Sequence, residues 1–211
     1  MQAIEAGVDA VGFVCAEPAS IRTIKKIDAA SIAATIPPPI NSFVLNSETT
    51  ASEIAEVVRL VKAHTVQVVS DIGPNESEEL ARLIPSTHRV QVIHIQSKGD
   101  LQLIDRYAPF VHAFLLNSGK STGDGPISGG TGRVHDWSLS AQFVQQSPLP
   151  VFLAGGLSAE NVGRAIRTVR PFGVDLCSGA RSKGRLDPDK LTAFVQAVRM
   201  TDDELRGTEI L

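Results

Sequence analysis

Val151-Phe152-Leu153-Ala154-Gly155-Gly156-Leu157-Ser158 runs into Ala159-Glu160-Asn161-Val162-Gly163-Arg164-Ala165-Ile166-Arg167-Thr168-Val169, and Pro171 stands just beyond. The opening residues form a short apolar run, and two glycines break it. The remainder reads as a helix over Ala159–Val169 that Ser158 can cap and Pro171 stops. This is one strand–turn–helix unit, and it recurs along the chain. Short runs that read as strands occur at Ala10–Val14, Phe43–Leu45, Val66–Val69, Val90–Ile95, Ala113–Leu116, Val151–Ala154 and Gly173–Cys177. They are brief, mostly β-branched and bounded by Gly, Pro, Asn or Ser, the pattern of parallel strands buried on both faces.

Helices are expected between them. Ser52–Ala63 carries Ile54, Val57, Val58 and Val61 at helical spacing, with Ser52 placed to cap it. Glu76–Ile84 follows Pro74-Asn75, and Asp100–Tyr107 and Asp28–Thr35 are further segments. Trp137–Gln146 follows Asp136 as N-cap, and Asp187–Arg199 opens on Asp187-Pro188, a cap with proline at the first helical position. Met1–Ala6 reads as the end of a helix closed by Gly7. The alternation implies parallel strands joined by crossover helices, in an open doubly wound sheet or a closed barrel. A Gly-x-Gly-x-x-Gly after the first strand is absent. Short, uniform units favour an α/β fold of the (β/α)8 TIM-barrel class, with seven strands and eight helices in view and the first strand missing from this chain.

The 211 residues, 43% hydrophobic, supply one sizeable core; a barrel domain over 1–200 and a C-terminal tail over 201–211 are expected. The net charge of −3, from 23 acids against 20 bases, argues against a nucleic-acid binder or a polybasic membrane anchor. Apolar runs fall short of the roughly 18 residues that span a bilayer, and Met1-Gln2-Ala3-Ile4-Glu5 is no secretory signal. Cys15 and Cys177 cannot build a disulfide framework or a metal site, so a reduced, cytoplasmic setting without metal or cofactor is expected.

In such a barrel, active sites lie at the carboxyl ends of the strands. Gly155 and Gly156 there leave backbone amides bare enough to approach a phosphate, or simply make a tight turn. Ser178 and Gly179, in the turn after the last strand, pair with them in the recurrent phosphate position of the fold. Asp175 lies inside an apolar strand, either bonded to a loop or accepting from a ligand hydroxyl. Arg22, in the loop after the first strand, is either solvated or a binder of an anionic group. The glycine-rich loop Asn117–His135 is either a lid or an insertion. His94, in a strand, reads as packing or solvated.

Gly129-Gly130-Thr131-Gly132-Arg133-Val134-His135-Asp136-Trp137-Ser138 resembles a signature of the phosphoribosylanthranilate isomerase family. Glu5–Val14, Leu153–Leu157, Glu160–Val162 and Arg170–Gly179 resemble further blocks of that family in the same order, over about residues 3–199. The resemblance implies a small (β/α)8 barrel and an Amadori rearrangement in tryptophan biosynthesis, from an aminoaldose phosphate to an aminoketose phosphate. It implies phosphate on Gly155, Gly156, Ser178 and Gly179, the substrate facing Asp175, and the anthranilate carboxylate on Arg22. Gly129, Gly130, Thr131 and Gly132 would form the lid. The partner implied is a small phosphorylated sugar ligand, and a homodimer is possible.

The chain departs from the pattern at the proton-transfer groups. The family's base is a cysteine in a Lys-Ile-Cys-Gly block that would precede Met1. Its acid is the aspartate of a Leu-Leu-Asp pattern, which here reads Leu115-Leu116-Asn117, and an amide is no acid at neutral pH. Its Gln-Leu-His-Gly block reads Gln67-Val68-Val69-Ser70. Three readings follow: a gene start placed too late, a sugar-phosphate binder or regulatory barrel without turnover, or relocated chemistry with Cys15 or Cys177 as the base.

Overall fold

Seven parallel strands lie side by side in chain order: β1 (Ala10–Val14), β2 (Asn41–Asn46), β3 (Thr65–Val68), β4 (His88–His94), β5 (Ala113–Asn117), β6 (Val151–Leu153) and β7 (Gly173–Val174). This is a computed structural model, and it describes residues 2–16, 20, 22–117 and 137–209. Chain-order parallel pairing with a helix in each of the six crossovers is the (β/α) barrel arrangement. Among the described residues β1 and β7 are the two edges, so the sheet curls without pairing across that seam.

The helices are α1 (Gln2–Glu5), α2 (Lys26–Ala33), α3 (Ala51–Val61), α4 (Gly73–Leu83), α5 (Leu103–Tyr107), α6 (Trp137–Gln146), α7 (Val162–Val169) and α8 (Pro188–Glu209). Strand alternation sorts the core into an outer and an inner layer. On β2, Val44 is fully buried against Ile54, Val57, Val58 and Val61 of α3. Ile93, Phe114, Leu116 and Leu153 pack outward on Phe143 of α6 and on Ala165, Ile166 and Val169 of α7. Val90, Val92, Ala113, Leu115 and Ala154 fill the inside of the curl, with Phe43, Val69 and Phe152 against them. The inward residues of the last strand turn thus face the strand ends where a ligand would sit.

Several boundaries differ from expectation, each for a local reason. Thr50, not Ser52, caps α3, its hydroxyl accepting from the Glu53 amide at 3.3 Å. α4 begins at Gly73 and takes Pro74 into its first turn, where a missing N–H costs nothing. The segment before α5 is a 3-10 turn, Lys98–Gln102, boxed by Ser97 and Asp100. α7 starts at Val162, because the Asn161 side chain is spent on the preceding loop. β7 stops at Val174 rather than Cys177: it has a partner only in β6, and after Asp175 N–H donates to Leu153 at 2.8 Å the chain turns away. The segment read as a tail is helical to Glu209, as the last turns of α8. A two-residue hairpin, β8 (Arg181–Ser182) with β9 (Arg185–Leu186), was not anticipated; Lys183 and Gly184 both take positive φ, as its turn requires.

Candidate active site

A cavity of about 100 Å³ opens at the carboxyl ends of the strands, lined by residues of β1 to β5 and by the segments just beyond β6 and β7. It shares Arg22, Gln67, Leu115, Asp175 and Cys177 with a larger cavity of about 420 Å³ that follows the seam between β1 and β7.

The loop after β6 is shaped by its glycines. Gly155 (φ +89°) and Gly156 (φ +65°) both occupy the left-handed region, which a side chain would strain. Asn161 ties this loop to the start of α7: its Nδ2 donates to the Gly156 carbonyl at 2.8 Å, and its Oδ1 accepts from Ser158 N–H at 2.9 Å. The loop after β7 presses against it. A Cβ on Gly179 would stand 2.2 Å from the Leu157 carbonyl oxygen, so only a bare Cα allows the two loops to meet. Gly155, Gly156 and Ser178 line the cavity, while Gly179 stands behind them as the contact between the loops. Backbone bared in this way on two neighbouring loops suits an anionic oxygen cluster.

Asp175 and Arg22 stand on the same cavity. Asp175 keeps accessible surface and lines both cavities, where the chain around its carboxyl displaces part of its water. Loss of bulk water there pushes its pKa up, and a backbone bond from Leu176 works against the rise. Arg22 Nη1 reaches Cys177 Sγ at 3.6 Å. The two cysteines part company. Cys177 lines the cavity, whereas Cys15 is 3% exposed and packs in the outer layer with Val44 and Ala29. Burial raises the Cys15 thiol pKa, with Lys26 opposing weakly, so it is a core residue and not a base at the site.

The remaining site candidates divide in the same way. Asn117 ends β5 and lines the cavity. Gly129, Gly130, Thr131 and Gly132, like the Asp136 cap, lie outside the described residues. His94, read from sequence as packing or solvated, ends β4 and lines the cavity in register with Asn117. Its signal was its place: it shares a strand face with Val92 and is the last strand residue, where barrel sites are built. Asn161 was also missed, since a loop strut leaves no periodic trace. Among the described residues, no group of three or more His, Cys, Asp or Glu could hold a metal ion, and no helix is long and apolar enough to cross a membrane.

The model of the N-(5'-phosphoribosyl)anthranilate (PRA) isomerase family matches residues 1–197. The chain belongs to this family. An N-(5'-phosphoribosyl)anthranilate isomerase from Halobacterium salinarum is 35% identical over 203 residues, covering 95% of this chain and 90% of the relative. A crystal structure of a phosphoribosyl anthranilate isomerase in complex with reduced 1-(o-carboxyphenylamino)-1-deoxyribulose 5-phosphate superposes with a TM-score of 0.74 at 27% identity, covering 94% of this chain and 91% of that one. Monomers generated from the dimeric phosphoribosylanthranilate isomerase of Thermotoga maritima superpose with a TM-score of 0.75 at 25% identity, covering 94% and 91%.

Proposed function

We propose that this chain is an isomerase of the Amadori type, acting on an anthranilate-bearing ribose 5-phosphate and slowed by the amide at position 117. The observation that carries the reading is the gathering of Arg22, Asp175 and the paired glycine loops on one cavity at the strand ends. In this reading the amides of Gly155 and Gly156, with Ser178, hold the phosphate. The Arg22 guanidinium meets the anthranilate carboxylate, and Asp175 accepts from a ribose hydroxyl. Fixing both ends of the ligand would hold the ribose within the cavity at the strand ends. Of the two cysteines, Cys177 lines the cavity, and as its thiolate it would accept the C2 proton. Asn117 can orient the ring oxygen by a hydrogen bond but has no acidic proton to give.

A second reading, a barrel that holds the same ligand without turnover, draws on Asn117 and on Val69 at the family's histidine position. Calorimetry with the reduced product analogue, beside a turnover assay on phosphoribosylanthranilate, separates the two. Binding with slow turnover supports the isomerase, binding without turnover the second reading, and failure to bind removes both. A cytoplasmic homodimer, as for the dimeric Thermotoga protein, completes the proposal, and sedimentation equilibrium tests the association.

A further inference from the structure

We propose that His94 is the proton donor for ring opening in this chain; the inference rests on the isomerase reading above. His94 and Asn117 are the last residues of β4 and β5 and are paired in register. Parallel neighbours in register project their side chains to the same face, with the strands about 4.8 Å apart. Both residues line the cavity. An imidazole at 94 therefore addresses the same volume as the amide at 117, one strand over.

The other titratable groups lining that cavity among the described residues are Arg22, Asp175 and Cys177. A guanidinium does not give up its proton in a protein. Cys177 lies beyond β7 and serves as the base in this reading. Asp175 follows β7, two strands beyond β5, beside the phosphate loops. His94 is the donor-capable group that sits next to position 117, and histidine exchanges protons in the neutral range.

The step balances as follows. The imidazolium N–H proton passes to the furanose ring oxygen as the C1–O bond breaks, the bonding pair going to oxygen. The lone pair of the anthranilate nitrogen forms the C=N bond to C1. His94 is left neutral, and the open chain carries the new hydroxyl and an iminium. The C2 proton then passes to the Cys177 thiolate, the C2–H pair forming the C1=C2 bond of the enolamine as the iminium nitrogen regains its lone pair, and the enolamine tautomerises to the ketose. Asn117 is a positioning residue in this scheme, its amide directed at the same oxygen.

The test is a double-mutant cycle with His94→Gln and Asn117→Asp on phosphoribosylanthranilate, with binding of the reduced product analogue measured for all four proteins. His94→Gln is expected to lower kcat by about 100-fold in the unmodified chain. In the Asn117→Asp background, where a carboxylic acid supplies the proton, the same change is expected to cost no more than about 3-fold. KM and analogue binding stay within a few-fold throughout. A purely structural histidine costs the same in both backgrounds, and that outcome overturns the proposal. So does an unmodified chain that binds the analogue but turns nothing over, whether or not Asn117→Asp is active; with an active Asn117→Asp the isomerase reading survives alone. Failure of every protein to bind the analogue overturns the isomerase reading itself, and the inference with it.

Discussion

Gly179→Ala probes the junction of the two loops proposed to hold the phosphate. The added Cβ would lie 2.2 Å from the Leu157 carbonyl oxygen and 2.7 Å from Leu176 Cδ1, where ordinary contact begins at 3.4 Å. The Leu157 oxygen is backbone and cannot rotate away, so one loop must retreat by about 1 Å, enough to spoil hydrogen bonds that depend on amide direction. Two amide bonds to a charged phosphate, at about 1.5–3 kcal/mol each, stand to be weakened. Losing the equivalent of one raises Kd by about 10- to 100-fold. The overpacking itself costs about 1–3 kcal/mol of stability. The assay is titration calorimetry with the reduced product analogue and with its dephosphorylated counterpart, beside thermal melts. The affinity advantage given by the phosphate should shrink in Gly179→Ala, while the weak binding of the dephosphorylated compound hardly changes. Gly207→Ala is the control: in α8 a Cβ there meets nothing within 4 Å, and the change should be neutral or stabilise by up to about 1 kcal/mol. An unchanged phosphate advantage in a folded Gly179→Ala protein would refute the placement of the phosphate on these loops.

Thiol titration of the native protein should show Cys177 reacting and Cys15 silent until unfolding, and Cys15→Ala should cost about 1–2 kcal/mol of stability with turnover unchanged. Prompt labelling of Cys15 would contradict its place in the outer core. Asp175→Asn should raise the melting temperature at pH 7–8. Partial loss of water raises the native carboxyl pKa above its unfolded value, so the native charge is a burden above that native value. The burden is absent once both states are protonated, and the gain should therefore fade toward about pH 4. A gain that grows as pH falls would show that the carboxylate is stabilised rather than penalised. Ligand affinity should fall in the same variant.

Most of the fold is legible in the sequence because a parallel barrel writes a simple code. Strands buried on both faces are apolar runs, and helices between them repeat at helical spacing. The six strands from β1 to β6 lie within one or two residues of their expected places, since the core decides them. β7 is shorter than expected because apolar character persists to Cys177 while hydrogen-bond partners do not, and composition reports the first only. The start of α7 moved from Ala159 to Val162, where the Asn161 side chain is bonded to the preceding loop rather than capping the helix. At the site, the glycine loops, Arg22, Asp175 and Asn117 could be named from motif order. His94 could not, because a histidine in an apolar strand has the same sequence signature whether it packs or faces a ligand. Cys15 misled for the converse reason: it follows β1, but one residue of strand phase turns it from the cavity to the outer core.

The most direct measurement is steady-state turnover of phosphoribosylanthranilate by the unmodified chain and by Asn117→Asp. Slow but measurable turnover is expected for the first, with kcat rising by about 10-fold or more in the second and KM within a few-fold, because a carboxylic acid returns to the ring oxygen while both ends of the ligand stay held. An Asn117→Asp protein that binds the reduced product analogue yet turns over no faster than its parent would contradict it.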